Sequence, residues 1–237
     1  MKTKLVRYPE DLAQHIENQD IAHALHTLFL ETLMDAERRG YAEENHDLSN
    51  GYRPRRVRYE GHILQLRTVR TRNKGFYPKL LHIIRGGGGA VAKLEAVCFL
   101  PASEYGGMQR YVSMVYKELY SRKQIARLAA TLQNLMEHWR SRRLSPHYER
   151  VILETLSLPL PHRAASTGWK LVAVLGLDAW SYGELLGVYG VRDGVEEDAL
   201  GFVEDLRARG VRAVGAAASD GQRAMEDAVL QHFPRSV

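Results

Sequence analysis

The stretch that decides the fold is Trp169–Leu177, with the sequence WKLVAVLGL. Its almost continuous apolar run predicts a buried β-strand. Similar runs lie on either side, VILETLSL at residues 151–158 and ELLGVYGV at residues 184–191. Together the three runs predict a meander of consecutive strands.

An amphipathic helix and a fourth strand follow this meander. Residues 196–209 repeat leucine and valine at helical spacing and end before Gly210, which favours a helix stop. Residues 211–218 predict the fourth strand, and residues 222–233 predict a second helix. The order β-β-β-α-β-α predicts a mixed sheet of the α/β class.

Ahead of this sheet, the pattern changes to helices and a basic ribbon. Residues 10–39 predict a helix with a break near Asn18–Asp20 and an end at Gly40. Residues 55–59 and 62–70 predict a hairpin that carries exposed arginines. The chain as a whole is therefore predicted to be α+β.

A run of four glycines, Gly86–Gly89, predicts a flexible linker. The run lacks the Gly-Lys-Ser/Thr ending of a phosphate-binding loop, so we expect no nucleotide cofactor. We divide the chain into a helical and ribbon region at residues 1–85, a linker with a helical pair at residues 86–145, and the sheet domain at residues 146–237.

Length and composition exclude several classes of protein. The chain has 237 residues, of which 45% are hydrophobic and 26% are charged, as in ordinary globular proteins. Its apolar runs are shorter than the ~18 residues of a membrane span. The lone Cys98 excludes internal disulfides and multi-cysteine zinc sites, and the first residues lack the apolar core of a secretory signal. We expect a cytoplasmic protein without a membrane partner.

The basic residues are concentrated in two segments. Residues 51–74 contain eight basic residues against one acid, and residues 117–150 contain eight against three. Residues 178–210 reverse the balance, with eight acids and three arginines. This asymmetry favours a front half that binds a polyanion, while the alternative is a pair of solvated charged faces.

Two helical runs lie in the second basic segment, at residues 109–119 and 122–138. Ser121 and Gln124 between them match a capping box. Two short helices with a tight turn, and basic residues where the second begins, are typical of a helix-turn-helix. An ordinary helical hairpin fits the same residues.

Two carboxylates stand out by their position. Glu154 lies inside the first apolar strand, where an acid is costly to bury unless it is paired or binds a metal. Asp220 directly follows the fourth strand. If these strands are neighbours, the two carboxylates converge and suit Mg²⁺ or Mn²⁺. The alternatives are a helix cap at Asp220 and a half-exposed edge strand at Glu154.

Several blocks, in order, resemble the mutator-type transposases of bacterial insertion sequences. Asn50–Arg55 is similar to the family's N-G-Y-x-x-R block, and Val69–Asn73 to its P-R-D-R-like run. Val115–Ile125 is similar to Y-x-x-G-x-S-x-R-x-I, and Trp139–Leu144 to W-x-x-R-x-L. Ser219-Asp220-Gly221 is similar to the segment that carries the family's second catalytic Asp.

The resemblance implies an RNase H-like catalytic domain with a DDE triad, Mg²⁺ or Mn²⁺, and metal-dependent cleavage and strand transfer of DNA. It places Glu154 at the first catalytic position, where the family has Asp, and Asp220 at the second, 66 residues later. Both would be metal ligands. The family's third acid and its Q-R-C-x-x-H block have no counterpart before Val237, so we expect an incomplete RNase H-like domain in a truncated or split transposase.

The resemblance also implies double-stranded DNA as the partner, at the terminal inverted repeats of the element, together with self-association and a nucleoid location. The residues expected to contact DNA phosphate are Arg53, Arg55, Arg56, Arg58, Arg122, Lys123 and Arg127. Two alternatives remain open, a DNA-binding regulator without catalysis and a decayed remnant without a selected function.

Overall fold

The computed structural model describes residues 20–192 and 195–233, apart from the side chain of Glu196. The chain is α+β, as predicted, and a 3₁₀ turn lies at Ala102–Glu104. In chain order, the helices and strands are α1 (Ile21–Glu44), β1 (Ser49–Tyr59), β2 (His62–Thr71), α2 (Leu80–Gly86), α3 (Gly89–Val97), α4 (Met108–Tyr116), α5 (Arg122–Ser141), β3 (His147–Leu156), α6 (His162–Ser166), β4 (Trp169–Leu177), β5 (Gly183–Arg192), α7 (Glu196–Ala208), β6 (Ala213–Ser219) and α8 (Arg223–His232).

Strands β1 and β2 form the predicted hairpin, in antiparallel register from Tyr59↔His62 outward. Its turn is Glu60-Gly61, and both residues have positive φ, at 44° and 84°. Positive φ at both turn positions is the geometry that matches the twist of a two-residue hairpin. The first strand begins earlier than predicted, at Ser49, and its register shifts between Ser49 and Tyr52.

The second sheet has the strand order β5-β4-β3-β6. Strands β3, β4 and β5 pair antiparallel, and β6 pairs parallel with β3. The predicted meander, its fourth strand and the mixed sheet are therefore confirmed. Between β3 and β4 the structure adds the short helix α6, which the sequence pattern did not indicate.

The two faces of this sheet are covered by different helices. Ile152 and Leu171 point to a core shared with the helical layer α1–α5. Val151 and Leu153 point to a second core with α7 and α8. Since side chains alternate along a strand, Glu154 lies on the same face as Ile152, toward the helical layer.

Helix α1 differs from its prediction. Residues 10–19 lie outside the described residues, and the helix continues through Gly40 to Glu44. A glycine inside a helix costs about 1 kcal/mol relative to alanine, which the burial of most of this helix outweighs. Glu31, Asp35 and Glu37 are buried along it together with apolar side chains.

The glycine run lies at the junction of two short helices. Gly86 ends α2 and Gly89 begins α3, while Gly87 has a φ of 132°. Leu81 before the run and Leu94 after it belong to the same hydrophobic core. The division of the chain at residues 85 and 145 stays a prediction.

The helical pair that follows is present, with α4 ending three residues before its predicted limit and α5 extending to Ser141. The capping box is confirmed, since Ser121 Oγ accepts from Gln124 N and the Gln124 side chain accepts from Ser121 N.

Candidate active site and basic surface

Glu154 and Asp220 lie at the same end of two neighbouring strands. Leu153 on β3 is in register with Ser219 on β6. One residue further, Asp220 N donates a hydrogen bond to Leu153 O at 3.3 Å. The parallel pairing thus places the two acids that the sequence singled out at one end of the sheet, because the carboxyl ends of parallel strands meet at one edge of a sheet.

Asp220 is exposed and oriented by Thr155. Its Oδ2 accepts from Thr155 N at 2.8 Å, and its Oδ1 accepts from Thr155 Oγ1 at 3.1 Å. Gln222 Nε2 donates to the same hydroxyl at 3.0 Å. The alternative of a helix cap at Asp220 is wrong, since the N-cap position of α8 is Gln222. A carboxylate offers about four lone-pair positions, so both oxygens retain capacity to bind a cation.

Glu154 is half-buried in the centre of the sheet. The alternative of an edge strand is wrong, because β3 lies between β4 and β6. Burial raises the pKa of Glu154, and the negative charges of Asp220 and Asp20 raise it further. A divalent cation would offset this repulsion, and two carboxylates are oxygen ligands of the kind that Mg²⁺ and Mn²⁺ prefer. The residue types therefore suit the metal that the resemblance implies, and its binding stays a prediction.

Asp20 is a third acid, whose charge acts on Glu154 and which the sequence analysis did not identify as a site residue. It is the N-cap residue of α1, and its side chain accepts from His23 N at 2.8 Å. Its charge reaches Glu154 because the helical layer covers that face of the sheet. In the sequence, Asp20 is recognisable only as a residue type that favours the N-cap of a helix. The neighbouring residues do not indicate that it lies near β3.

The predicted DNA-binding arginines of β1 differ in their surroundings. Arg53, Arg56 and Arg58 are exposed along the ribbon. Arg55 is half-buried, and its guanidinium lies 5.4 Å from the ring centroid of Tyr77 and donates to the Tyr77 hydroxyl. The cation–π contact and the hydrogen bond with Tyr77 restrict the orientation of the Arg55 guanidinium.

The basic residues of α5 also fall into two groups. Arg122 and Lys123 are exposed in the first turn of the helix. Arg127 faces the end of α1, where its Nη1 donates to Glu44 Oε1 at 3.0 Å. Its Nε lies 3.9 Å from Glu43 Oε2. Part of the Arg127 charge is therefore neutralised within the chain.

Helices long and apolar enough to cross a membrane do not occur among the residues described here.

Comparison with known proteins gives two findings. The family model for "Transposase, Mutator family" matches residues 2–237. The transposases for insertion sequence element IS1081 of Mycobacterium tuberculosis and Mycobacterium bovis are each 26% identical to this chain over 237 residues. The match covers 95% of this chain and 56% of each relative, so the chain spans little more than half the length of these proteins.

Proposed function

Because the chain belongs to the mutator family of transposases, we propose that it acts in DNA transposition. The basic ribbon binds the DNA at the ends of the element, and Glu154 and Asp220 ligate the divalent metal of a strand-cleavage site. The observation that carries this proposal is the pairing of β3 with β6, which puts two acids at one end of the sheet. Self-association and nucleoid location belong to the same proposal, and they rest on the family alone.

The protein's contribution to the chemistry is to orient the acids. Thr155 fixes the Asp220 carboxylate through its backbone N–H and its hydroxyl. Glu154 is held within a paired strand, opposite Ala173 of β4. When bound, Mg²⁺ or Mn²⁺ would supply an activated water or hydroxyl and stabilise the leaving oxygen of the phosphodiester.

The ribbon supports DNA binding by its shape and charge. A two-stranded β-ribbon fits the major groove of B-DNA. Arg53, Arg56 and Arg58 are exposed along one strand of it. Arginine binds phosphate oxygens in a bidentate manner, so these side chains suit the DNA backbone.

The DNA-binding part is tested by salt titration. We expect the affinity of the chain for duplex DNA to fall steeply with salt, because each neutralised phosphate releases counterions. Arg56→Ala with Arg58→Ala should reduce the slope of log K against log salt by about 2, at roughly 0.9 per phosphate contact. Arg207→Ala, an exposed arginine on α7, is the matched control. A flat salt dependence of the unmodified chain would refute DNA binding by the ribbon.

The catalytic part is tested by nicking of supercoiled DNA in Mg²⁺ or Mn²⁺. We expect a low activity that Asp220→Asn abolishes, while DNA affinity is retained. Glu154→Asp should raise the activity, since displacements near 1 Å can change rates on the order of 100-fold.

A non-catalytic DNA-binding regulator is the second candidate function. The observation that favours it is the glutamate at position 154, where the resemblance implies aspartate. DNA binding without any metal-dependent nicking, in the unmodified chain and in Glu154→Asp alike, would support this candidate and exclude the first.

A further inference from the structure

Three metal-ligating groups meet where the start of α1 contacts the hairpin. Asp20, His23 and His62 each offer a ligand atom, and these atoms lie within 4.8 Å of one another. Asp20 and His23 flank the first turn of the helix, and His62 is the first residue of β2. The group therefore joins two elements that are distant in the sequence.

The spacing of these atoms suits a single ion. Asp20 Oδ1 accepts from His23 N, and Asp20 Oδ2 lies 3.5 Å from His62 Nδ1. Two ligands that are each about 2.0–2.1 Å from a tetrahedral zinc ion lie roughly 3.3 Å apart. The second carboxylate oxygen and the imidazole nitrogen are therefore at the separation that a shared metal requires.

The His62 ring is oriented by neighbouring side chains. It makes edge contacts with the rings of His23 at 6.2 Å and His26 at 5.3 Å between centroids. His26 is buried, and its Nδ1 lies 2.9 Å from Glu95 Oε1. Glu95 also accepts from the Tyr59 hydroxyl at 2.9 Å. This buried network fixes the His26 ring, and the His62 ring packs against it.

The group is also reachable from solvent. The side chain of His62 is 29% exposed and that of Asp20 is 45% exposed. An ion can therefore enter without unfolding of the helix or the hairpin.

We propose that Asp20, His23 and His62 form a binding site for a transition-metal dication of the zinc class. Two imidazoles and one carboxylate match zinc coordination, whereas Mg²⁺ prefers oxygen ligands alone. The site is distinct from Glu154 and Asp220 in both its residues and its metal class. The bound ion would fasten the turn end of the β1–β2 ribbon to the start of α1.

The test is calorimetric titration of the untagged chain with Zn²⁺, once without Mg²⁺ and once with excess Mg²⁺. We expect one Zn²⁺ per chain, a binding constant that Mg²⁺ does not change, and a higher melting temperature with Zn²⁺. His23→Ala and His62→Ala should each weaken binding roughly tenfold or more. His82→Ala, an exposed histidine on α2, should bind like the unmodified chain.

A conservative variant keeps the test valid if a histidine variant fails to fold. Asp20→Asn retains an oxygen that can cap the helix but removes the charged ligand, so we expect weaker Zn²⁺ binding in a folded protein. Non-saturable binding in the unmodified chain would overturn the proposal, as would three ligand variants that all bind Zn²⁺ with the affinity of the unmodified chain. This readout requires neither DNA nor nicking, so it fails or succeeds independently of the proposed function.

Discussion

The acids of helix α1 and the acids at the end of the sheet have opposite surroundings. Glu37 is 3% exposed, whereas Asp220 is exposed. The backbone N–H groups of Lys79 and Leu80 donate to Glu37 at 2.6 and 2.9 Å. The hydroxyl of Tyr116 donates at 2.5 Å.

This difference indicates two roles for carboxylates in the chain, one in holding the fold together and one at the candidate site. The buried acids join the helical layer to the segments around it, since Glu31 also accepts from the backbone and the guanidinium of Arg67. The partners of Asp220 are the backbone N–H and the hydroxyl of Thr155, which directly follows Glu154 in β3, and they orient the Asp220 carboxylate. Substitution of the buried α1 acids should therefore change stability, and substitution of the acids at the end of the sheet should change activity.

Glu37→Ala gives the largest expected effect. It leaves two backbone N–H groups and the Tyr116 hydroxyl without their acceptor, and each buried unsatisfied group costs about 1–3 kcal/mol. We expect the free energy of unfolding to fall by about 3 kcal/mol or more, measured by urea denaturation. Glu118→Ala is the matched control, because its side chain is 82% exposed and surface substitutions usually stay within about 0.5 kcal/mol. An equal loss in both variants would contradict a structural role for Glu37.

The pH dependence of stability gives a second expected effect at the same residue. Burial raises the pKa of Glu37 from 4.5 to about 7. Since the pKa is higher in the folded state, protonated Glu37 favours folding. This contribution is fully present below pH 4.5 and is lost as the pH rises through about 7. We expect the stability of the unmodified chain to fall over this range relative to Glu37→Gln, in urea titrations at several pH values. Parallel stability curves would show that Glu37 does not titrate in this range.

Asp220→Asn gives the smallest expected change in stability. The amide oxygen of asparagine can still accept from Thr155 N, and the position is exposed. We expect the free energy of unfolding to change by less than about 1 kcal/mol, measured by thermal denaturation. A loss as large as that of Glu37→Ala would place Asp220 among the structural acids and remove the contrast.

The sheet was predictable because three of its strands contain long apolar runs. Strand β4 has the predicted bounds, Trp169–Leu177, and α7 begins at the predicted residue, Glu196. Short helices such as α2, α3 and α6 were missed, since five to nine residues give too little periodicity to distinguish a helix from a loop.

The candidate site was predictable only in part. Glu154 and Asp220 stand out by their positions relative to the strands, and the structure pairs those strands. The contacts of Asp20, Arg127 and Glu37 depend on packing between segments far apart in the sequence. Local patterns carry no information on such contacts, so a charged residue in a helix looks the same whether it is solvated or bound within the protein.

The parallel pairing of β3 with β6 has a consequence for the order of folding. Strands β3, β4 and β5 pair with their neighbours in sequence, whereas β4, β5 and α7 separate β6 from its partner β3 along the chain. Closing the longer loop costs more chain entropy, so such pairings form slowly. We expect β6 to join the sheet late and to exchange its amide hydrogens earliest among the four strands, so that the two acids come together only in the last step of folding.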